Sequence, residues 1–513
     1  MSKLGERLNL IHVGFIGKGI LVGLLSGLVV SSFRLLIERS LFFWRYLYAE
    51  AHYNVLWLVG IILLLLMIGL INIRLTKQQP HIMGSGIPEV ETQLSGNLKL
   101  QWWPILWRKF IGGALAIGSG LFLGREGPSI QLGSSIGQGV ASGLKEKGTN
   151  ERVLIASGAA SGLAAAFNAP IAGTMFVLEE IYHNFSPLVW MTSLAGALSA
   201  NFISSNIFGL TPVLHLNYTM NFPLRLYWHL LVLGIILGGL GIVYQKVLLA
   251  MPTLYRRFKV IPRYADGLIP LLLVIPIGYL WPDTLGGGNS LILSLAKQQP
   301  TALIVFGLLV LRFIFSMISY GSGLPGGIFL PILTLGALIG DFYGVLMANL
   351  GLLPRNLIMN LVIFAMAGYF AGIGKAPFTA MLLITEMVGT LEHLMPLAVV
   401  SLVAYLVVDI LGGAPIYESL AERMQVNQPH LTRSGHHGRL EVPVFEGTAF
   451  VNAEVRDIAW PRETLLVSIR RGEKELIPKG DTEILAGDTL IVLTDHNRRA
   501  QVKLALKKLS VRH

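Results

Sequence analysis

The 513-residue chain has no cysteine and little charge. Without thiols there is no disulfide framework and no thiolate metal site, a restriction that leaves the compartment open. Asp, Glu, Lys and Arg make up 13% of the chain, about half of the ~25% carried by soluble globular proteins. Part of the surface must therefore face something other than water, and a lipid bilayer is the simplest candidate. The N-terminus also lacks the form of a cleaved secretory leader, because the apolar stretch from Leu8 is long, contains Lys18 and has no small-residue cleavage site. Basic residues outnumber acidic ones by 11. Most of that excess lies in short loops between apolar stretches, where Lys and Arg mark membrane ends rather than a nucleic-acid face. No nucleic-acid partner is expected.

The charge that is present is segregated. The 80 residues from Ser434 onward hold 24 of the 69 charged residues, so about 30% of this tail is charged against about 10% of what precedes it. The composition describes a membrane body over residues 1–426, a linker over 427–438 and a water-soluble domain over 439–513. Within the body, Ala51 to Ile73 and Leu226 to Gln245 run 23 and 20 residues without a charge, long enough to cross a hydrocarbon core about 30 Å thick. Other uncharged stretches are short or cut by Gly and Pro, including Phe110 to Gly124, Gly127 to Leu144 and Gly267 to Pro282. They read either as kinked spans or as half-helices and re-entrant segments. Broken backbone at membrane depth survives only around a cavity or inside protein, which points toward a transport pathway. The expected fold is an all-α polytopic membrane protein with broken helices, followed by a small α+β domain.

The body also repeats itself. At an offset of 203, Gly124, Pro128, Gly133 and Gly137 of GREGPSIQLGSSIG match Gly327, Pro331, Gly336 and Gly340 of GIFLPILTLGALIG. Further on, Ala169-Pro170 with Glu179 matches Ala376-Pro377 with Glu386 at an offset of 207. Two matching blocks in the same order indicate duplicated halves, roughly 10–210 and 225–425. Sequence alone leaves open whether they are parallel or inverted. The tail shows strand-like runs at Leu440 to Phe445, Leu465 to Ile469 and Thr489 to Thr494. Helical patterns lie near Ala453 to Ala459 and Arg498 to Leu509, and Ala486-Gly487-Asp488 reads as a turn into a buried strand.

Three glycine-flanked motifs carry the chemistry. Ser85 sits in GSGIPEVE, where small cap residues, an early Pro88 and the acids Glu89 and Glu91 mark a helix start. The flanking glycines let backbone amides approach a ligand. In GREGP, Arg125, Glu126 and Gly127 fall at an interruption inside what should be membrane depth, where ionisable groups are functional candidates. Ile328 and Phe329 hold the equivalent place in the second half, behind a second GSG at Gly321 to Gly323. Each helix N-terminus presents about half a positive charge and unpaired N–H donors, so converging N-termini make an anion site without a buried cation. Such a site binds an anion and still lets it go. Lys375 in GIGKAP lacks the pattern of a phosphate loop, and His436-His437 read as solvated linker. Ser85 with His183 or His229 as base would be needed for an intramembrane hydrolase.

GSGIPE, GREGP and G-x-F-x-P, in this order and spacing, resemble the three signature motifs of the CLC family of chloride channels and chloride/proton antiporters. The stretch SGLAAAFNAPIAGTMFVLEE and Tyr417 in GGAPIY extend the likeness over roughly residues 10 to 425. The resemblance implies a homodimer with one pore per subunit, built from two inverted halves and embedded in lipid. It also implies a bacterial inner membrane with a cytoplasmic tail, no enzymatic activity and no cofactor. It assigns chloride coordination to Ser85, to the backbone amides of Ile328 and Phe329, and to the Tyr417 hydroxyl. Glu126 becomes the gating carboxylate, Glu180 the inner proton-transfer carboxylate, and Lys109 a cation near the pore that, with Arg125 and Gly127, supports the pathway. An acid at position 180 favours an antiporter of chloride and protons over a passive voltage- or pH-gated channel. The tail resembles the TrkA-C (RCK-C) module over roughly residues 440 to 510, which leaves open a small-molecule regulator or a purely dimerising role.

Overall fold

The computed structural model describes residues 3–216, 218, 221–257, 262–298, 300–426, 437–444, 448–462, 464–472, 474–495, 502, 505, 506 and 509. The chain divides into two compact units, Met1–Met424 and Gln425–His513. In chain order the helices of the first unit are α1 (Lys3–Ala51), α2 (Leu56–Gln78), α3 (Ile87–Leu94), α4 (Trp102–Gly118), α5 (Glu126–Gly143) and α6 (Thr149–Phe167). Next come α7 (Pro170–Phe176), α8 (Pro187–Phe208), α9 (Trp228–Arg257), α10 (Leu268–Leu280), α11 (Asn289–Gln298) and α12 (Ala302–Gly321). The last are α13 (Phe329–Asn349), α14 (Ile358–Gly374), α15 (Pro377–Val388), α16 (Leu394–Ile410) and α17 (Ile416–Val426). Among the described residues, six helical segments are long and apolar enough to cross a membrane. Of the rest, α3, α7, α10, α11 and α15 are short, as the interrupted apolar stretches suggest, whereas α8 runs 22 residues. The run from Ala51 is shifted: the Asn54 carboxamide accepts the Leu56 N–H at 2.9 Å, so α2 starts at Leu56 and continues past Arg74 to Gln78.

Two helices form the centre of the unit and are buried along almost their whole length, α6 from Val153 to Phe167 and α14 from Met359 to Gly374. Helices apolar or small on every face must be wrapped by others. Glycines set the wrapping distance. A Cβ on Gly133 or Gly158 would lie 2.0 or 2.1 Å from the carbonyl oxygen of the other, and one on Gly137 would lie 2.1 Å from Leu154 O, so α5 and α6 touch backbone to backbone. In the second half Gly336 and Gly340 press α13 onto α14 at Ala365 and Leu361 in the same way. The matched glycines thus do matched work.

The orientation of the halves follows from two carboxylates. Glu179, just past the end of α7, accepts the α15 first-turn amides of Phe378 (3.2 Å) and Thr379 (2.7 Å) and the Thr379 hydroxyl (2.7 Å). Glu386, near the end of α15, accepts the α7 amides of Ile171 (3.1 Å) and Ala172 (2.7 Å). Each helix end reaches the other's beginning, so α7 and α15 run antiparallel and the repeat is inverted. The carboxylates supply the acceptors that N-terminal amides lack within a helix.

The second unit contains a sheet of β1 (His437–Pro443), β2 (Thr464–Arg471), β3 (Lys474–Leu476) and β4 (Thr489–Asp495) in the antiparallel order β1-β4-β2-β3. The three expected strands are present, and Gly487, at φ +87°, makes the turn into β4. β3 went unforeseen. The pattern at Ala453 to Ala459 forms a single 3-10 turn at Val455–Asp457, because its backbone pairs instead with residues 480–484 through Asn452 N to Ile484 O, Ile484 N to Ala453 O and Val455 N to Thr482 O. Leu440, Phe450, Ile469, Ile484, Leu490 and Val492 fill the core. Nearly all of the expected linker, and most of the helical pattern after Arg498, lie outside the described residues.

Candidate anion site

The three glycine motifs meet. Gly124 and Gly327 exchange two backbone hydrogen bonds of 2.7 Å, Gly326 N donates to Gly84 O at 2.9 Å, and Gly84 N reaches Gly323 O at 3.4 Å. These bonds tie the starts of α3, α5 and α13 into one knot. The approach needs bare backbone: a Cβ on Gly127 would lie 2.7 Å from Ser85 Cβ, and Gly86, the cap of α3, stands at φ +84°. Ile328 caps α13 and Phe329 opens it, so their amides belong to the group with no partner inside the helix. Phe329 is fixed by Phe167, Phe176 and Phe370, with ring centroids 5.4, 5.6 and 4.4 Å away. Ser85 is buried and its Oγ accepts the Ile87 N–H at 3.3 Å.

Glu126 is wholly buried at the first position of α5. Its carboxylate folds back over the knot, since a Cβ on Gly124 would lie 2.3 Å from Oε2 and 3.2 Å from Leu330 N. It faces its own amide and that of Leu330, yet neither oxygen closes a hydrogen bond of ordinary geometry. A carboxyl group therefore sits where helix N-termini favour an anion. Tyr417, on α17, is wholly buried with its hydroxyl unpaired, and its ring meets Phe176 edge-on at 6.0 Å. Glu180, Tyr244, Tyr320 and Glu126 all act electrostatically on that hydroxyl. Glu180 is buried in a π-helical turn, Val177–Ile181, within electrostatic reach of Glu91, Glu179 and Glu418.

The supporting positions have specific partners. The Lys109 ammonium is buried and donates to Ile82 O (2.9 Å) and Gly84 O (2.8 Å), with Glu89 as its charge partner, so it braces the Ser85 loop from behind. Arg125 donates to Glu38 Oε1 at 2.7 Å, and Glu38 also takes Arg34 at 3.0 Å. Arg312, buried in α12, donates to the carbonyls of Thr284, Gly286 and Gly287 and stacks on Phe122. Tyr320, whose hydroxyl lies against Ser85, was missed in the sequence reading although it adjoins the second GSG. Tyr244 and Glu38 had no sequence signal. His229 bonds Tyr343 (2.8 Å) and Leu352 O (3.3 Å), so it is not a base for Ser85. Lys375 pairs with Asp409.

An inverted-repeat helical membrane protein with a knot of converging helix N-termini is the class that this fold and site define. The sequence matches the model of the voltage gated chloride channel family over residues 64–409 and that of the TrkA-C domain over residues 439–507. It is 34% identical to the H(+)/Cl(-) exchange transporter ClcA of Vibrio parahaemolyticus over 72% of this chain and 81% of that protein. It is also 34% identical to the ClcA of Salmonella arizonae, over 79% and 88%. Among solved structures, a slow cyanobacterial Cl-/H+ antiporter superposes with a TM-score of 0.75 at 32% identity, covering 81% of this chain and 98% of that one. The chain belongs to the voltage gated chloride channel family, with a TrkA-C domain at its C-terminal end, and is a multi-pass membrane protein.

Proposed function

We propose that the protein is a secondary active antiporter exchanging chloride for protons. The observation that carries the reading is Tyr417, a buried, unpaired hydroxyl whose ring packs on Phe176 beside Phe329 at the head of α13, in the electrostatic field of two buried carboxyl groups, Glu180 and Glu126. Chloride is held by the amides of Ile328 and Phe329 and the hydroxyls of Ser85 and Tyr417. Partial charges hold an anion loosely enough for turnover. Ionised Glu126 competes with chloride for the same donors. Protonation removes that competition and frees the side chain to move, so one group ties anion passage to proton uptake. Glu180, across Tyr417, exchanges protons with the other side. The protein works without a cofactor or enzymatic step as a homodimer with one pore per subunit, in a bacterial inner membrane with the tail in the cytoplasm. Liposomes loaded with a chloride gradient test this: protons move uphill as chloride runs down. Chloride flux with no proton movement identifies a passive channel and ends the antiport reading.

A further inference from the structure

Among the described residues no group hydrogen-bonds the Tyr417 hydroxyl, so its place depends on the backbone that leads into α17. That backbone is the turn Leu411-Gly412-Gly413-Ala414-Pro415 between α16 and α17, in which Gly412 stands at φ +72° and Gly413 N returns to Val408 O at 2.9 Å. The turn has two glycines and no charged side chain to anchor it. Its buried anchor comes from α9. Gly234 and Gly238 let that helix lie on α16, since a Cβ on either would be 2.7 Å from the Val403 or the Val407 side chain, and Gly241 faces Gly372 and Ile373 at the end of α14. One turn further along, Gln245 is 5% exposed, and its amide nitrogen donates to Ile373 O at 2.8 Å and to Ala414 O at 2.9 Å. Ile373 O belongs to the last turn of α14, whose carbonyls have no amide ahead of them in the helix, and Ala414 precedes Tyr417 by three residues. A primary amide has two N–H groups, and two carbonyls from separate elements use both. The fit is close, for a Cβ on Gly413 would lie 2.6 Å from Ile242 Cδ1 and 3.0 Å from Gln245 Oε1. Lys375 reaches the same turn at Gly413 O, 3.3 Å away, while its ammonium pairs with Asp409.

We propose that Gln245 is a positioning residue for chloride coordination: by holding Ile373 O and Ala414 O together it fixes where the Tyr417 hydroxyl stands. The inference rests on Tyr417 as a chloride ligand, and the two fail separately. Gln245 touches neither the anion nor the reacting protons. It ties the start of α17 to α9 and α14, so that a hydroxyl with no hydrogen bond of its own is already in place when chloride arrives, and binding does not have to order it.

The test is a double-mutant cycle on the full-length protein, read as chloride affinity by calorimetry. Gln245→Leu keeps the bulk of the side chain and removes both donors. With Tyr417 present it lowers chloride affinity about tenfold, a mid-range coupling for residues in one network. In a Tyr417→Phe background, where the hydroxyl is already gone, the same substitution lowers it by less than about twofold. Should Gln245→Leu not fold, Gln245→Asn, one methylene shorter and able to keep one of the two bonds, decides by the same comparison with a loss of about threefold. An equal loss in both backgrounds means that Gln245 supports the fold at large and overturns the proposal, as does no loss in either. Tyr417→Phe alone reports on the ligand: unchanged affinity there ends the assignment of Tyr417 and this inference with it, whereas a loss there beside additive Gln245 effects overturns only the role of Gln245. Proton pumping by the wild type in liposomes reports separately on antiport.

Discussion

Glu126 has no hydrogen bond of ordinary geometry to hold it in the knot of N-termini, so its removal should cost coupling rather than structure. Glu126→Ala is expected to abolish proton transport while chloride flux persists; proton uptake that survives in liposomes would reassign the role. Tyr417→Phe deletes one hydroxyl and keeps the ring contact with Phe176. Loss of one neutral donor to a charged ligand is worth roughly 1.5–3 kcal/mol, so chloride affinity measured by calorimetry should drop by at least about tenfold. Much of the site was legible beforehand because its parts are short motifs whose glycines and acids are unusual at membrane depth. Ser85, Glu126, Ile328 and Phe329 fall in such motifs. Tyr320, Tyr244 and the Arg34–Glu38–Arg125 chain were not legible, since each acts through partners distant in sequence. The family resemblance assigned Lys109 a place near the pore, and its ammonium donates to two carbonyls beside Ser85, those of Ile82 and Gly84.

At the scale of elements, the repeated Leu-Gly and Ile-Gly pairs announced duplication but not its sense, because a glycine pattern reads alike for parallel and inverted halves. The two crossed carboxylates, Glu179 and Glu386, supply the missing direction. Neither helix they cap has a side-chain cap of its own. Glu386→Ala therefore leaves the Ile171 and Ala172 amides without acceptors and should destabilise the protein by about 1–2 kcal/mol, seen as a lower Tm in detergent. The helix crossing is less forgiving. A side chain at Gly158 meets Gly133 O at 2.1 Å, and both α5 and α6 are hemmed in, so Gly158→Val must push the helices apart. Overpacking of this kind costs at least about 1–3 kcal/mol, and the separation would spread to Glu126 at the head of α5. A Gly158→Val protein with wild-type Tm and coupling would show that the crossing has slack.

For the whole molecule, every proposed anion and proton group, from Ser85 to Tyr417, belongs to the first unit, while the tail has its own core and its own electrostatics. Its central ion pair joins buried Asp488 to Arg471, with Nε to Oδ1 at 2.8 Å and Nη2 to Oδ2 at 2.7 Å, and Asp488 Oδ2 also takes the Leu485 amide at 2.9 Å. Burial on its own would raise the Asp488 pKa, but the Arg471 and amide bonds outweigh it and hold the carboxyl below its ordinary value. A folded pKa below the unfolded one, near 3.9 for Asp, stabilises the fold above that unfolded value. The contribution fades as pH falls through the still lower folded pKa. Tail stability owed to this pair should thus be flat from about pH 5 to 8 and decline only below about pH 4. Asp488→Asn loses charge-assisted bonds worth about 2 kcal/mol at neutral pH, and the gap from wild type should close at acid pH. Hydrogen exchange of the β2 and β4 amides in the full chain reads this directly. Because the transport groups lie elsewhere, the same substitution should leave the proton-to-chloride ratio at neutral pH unchanged, and a chain ended after Val426 should still exchange chloride for protons. Loss of coupling in either case would mean that the tail takes part in the transport cycle itself.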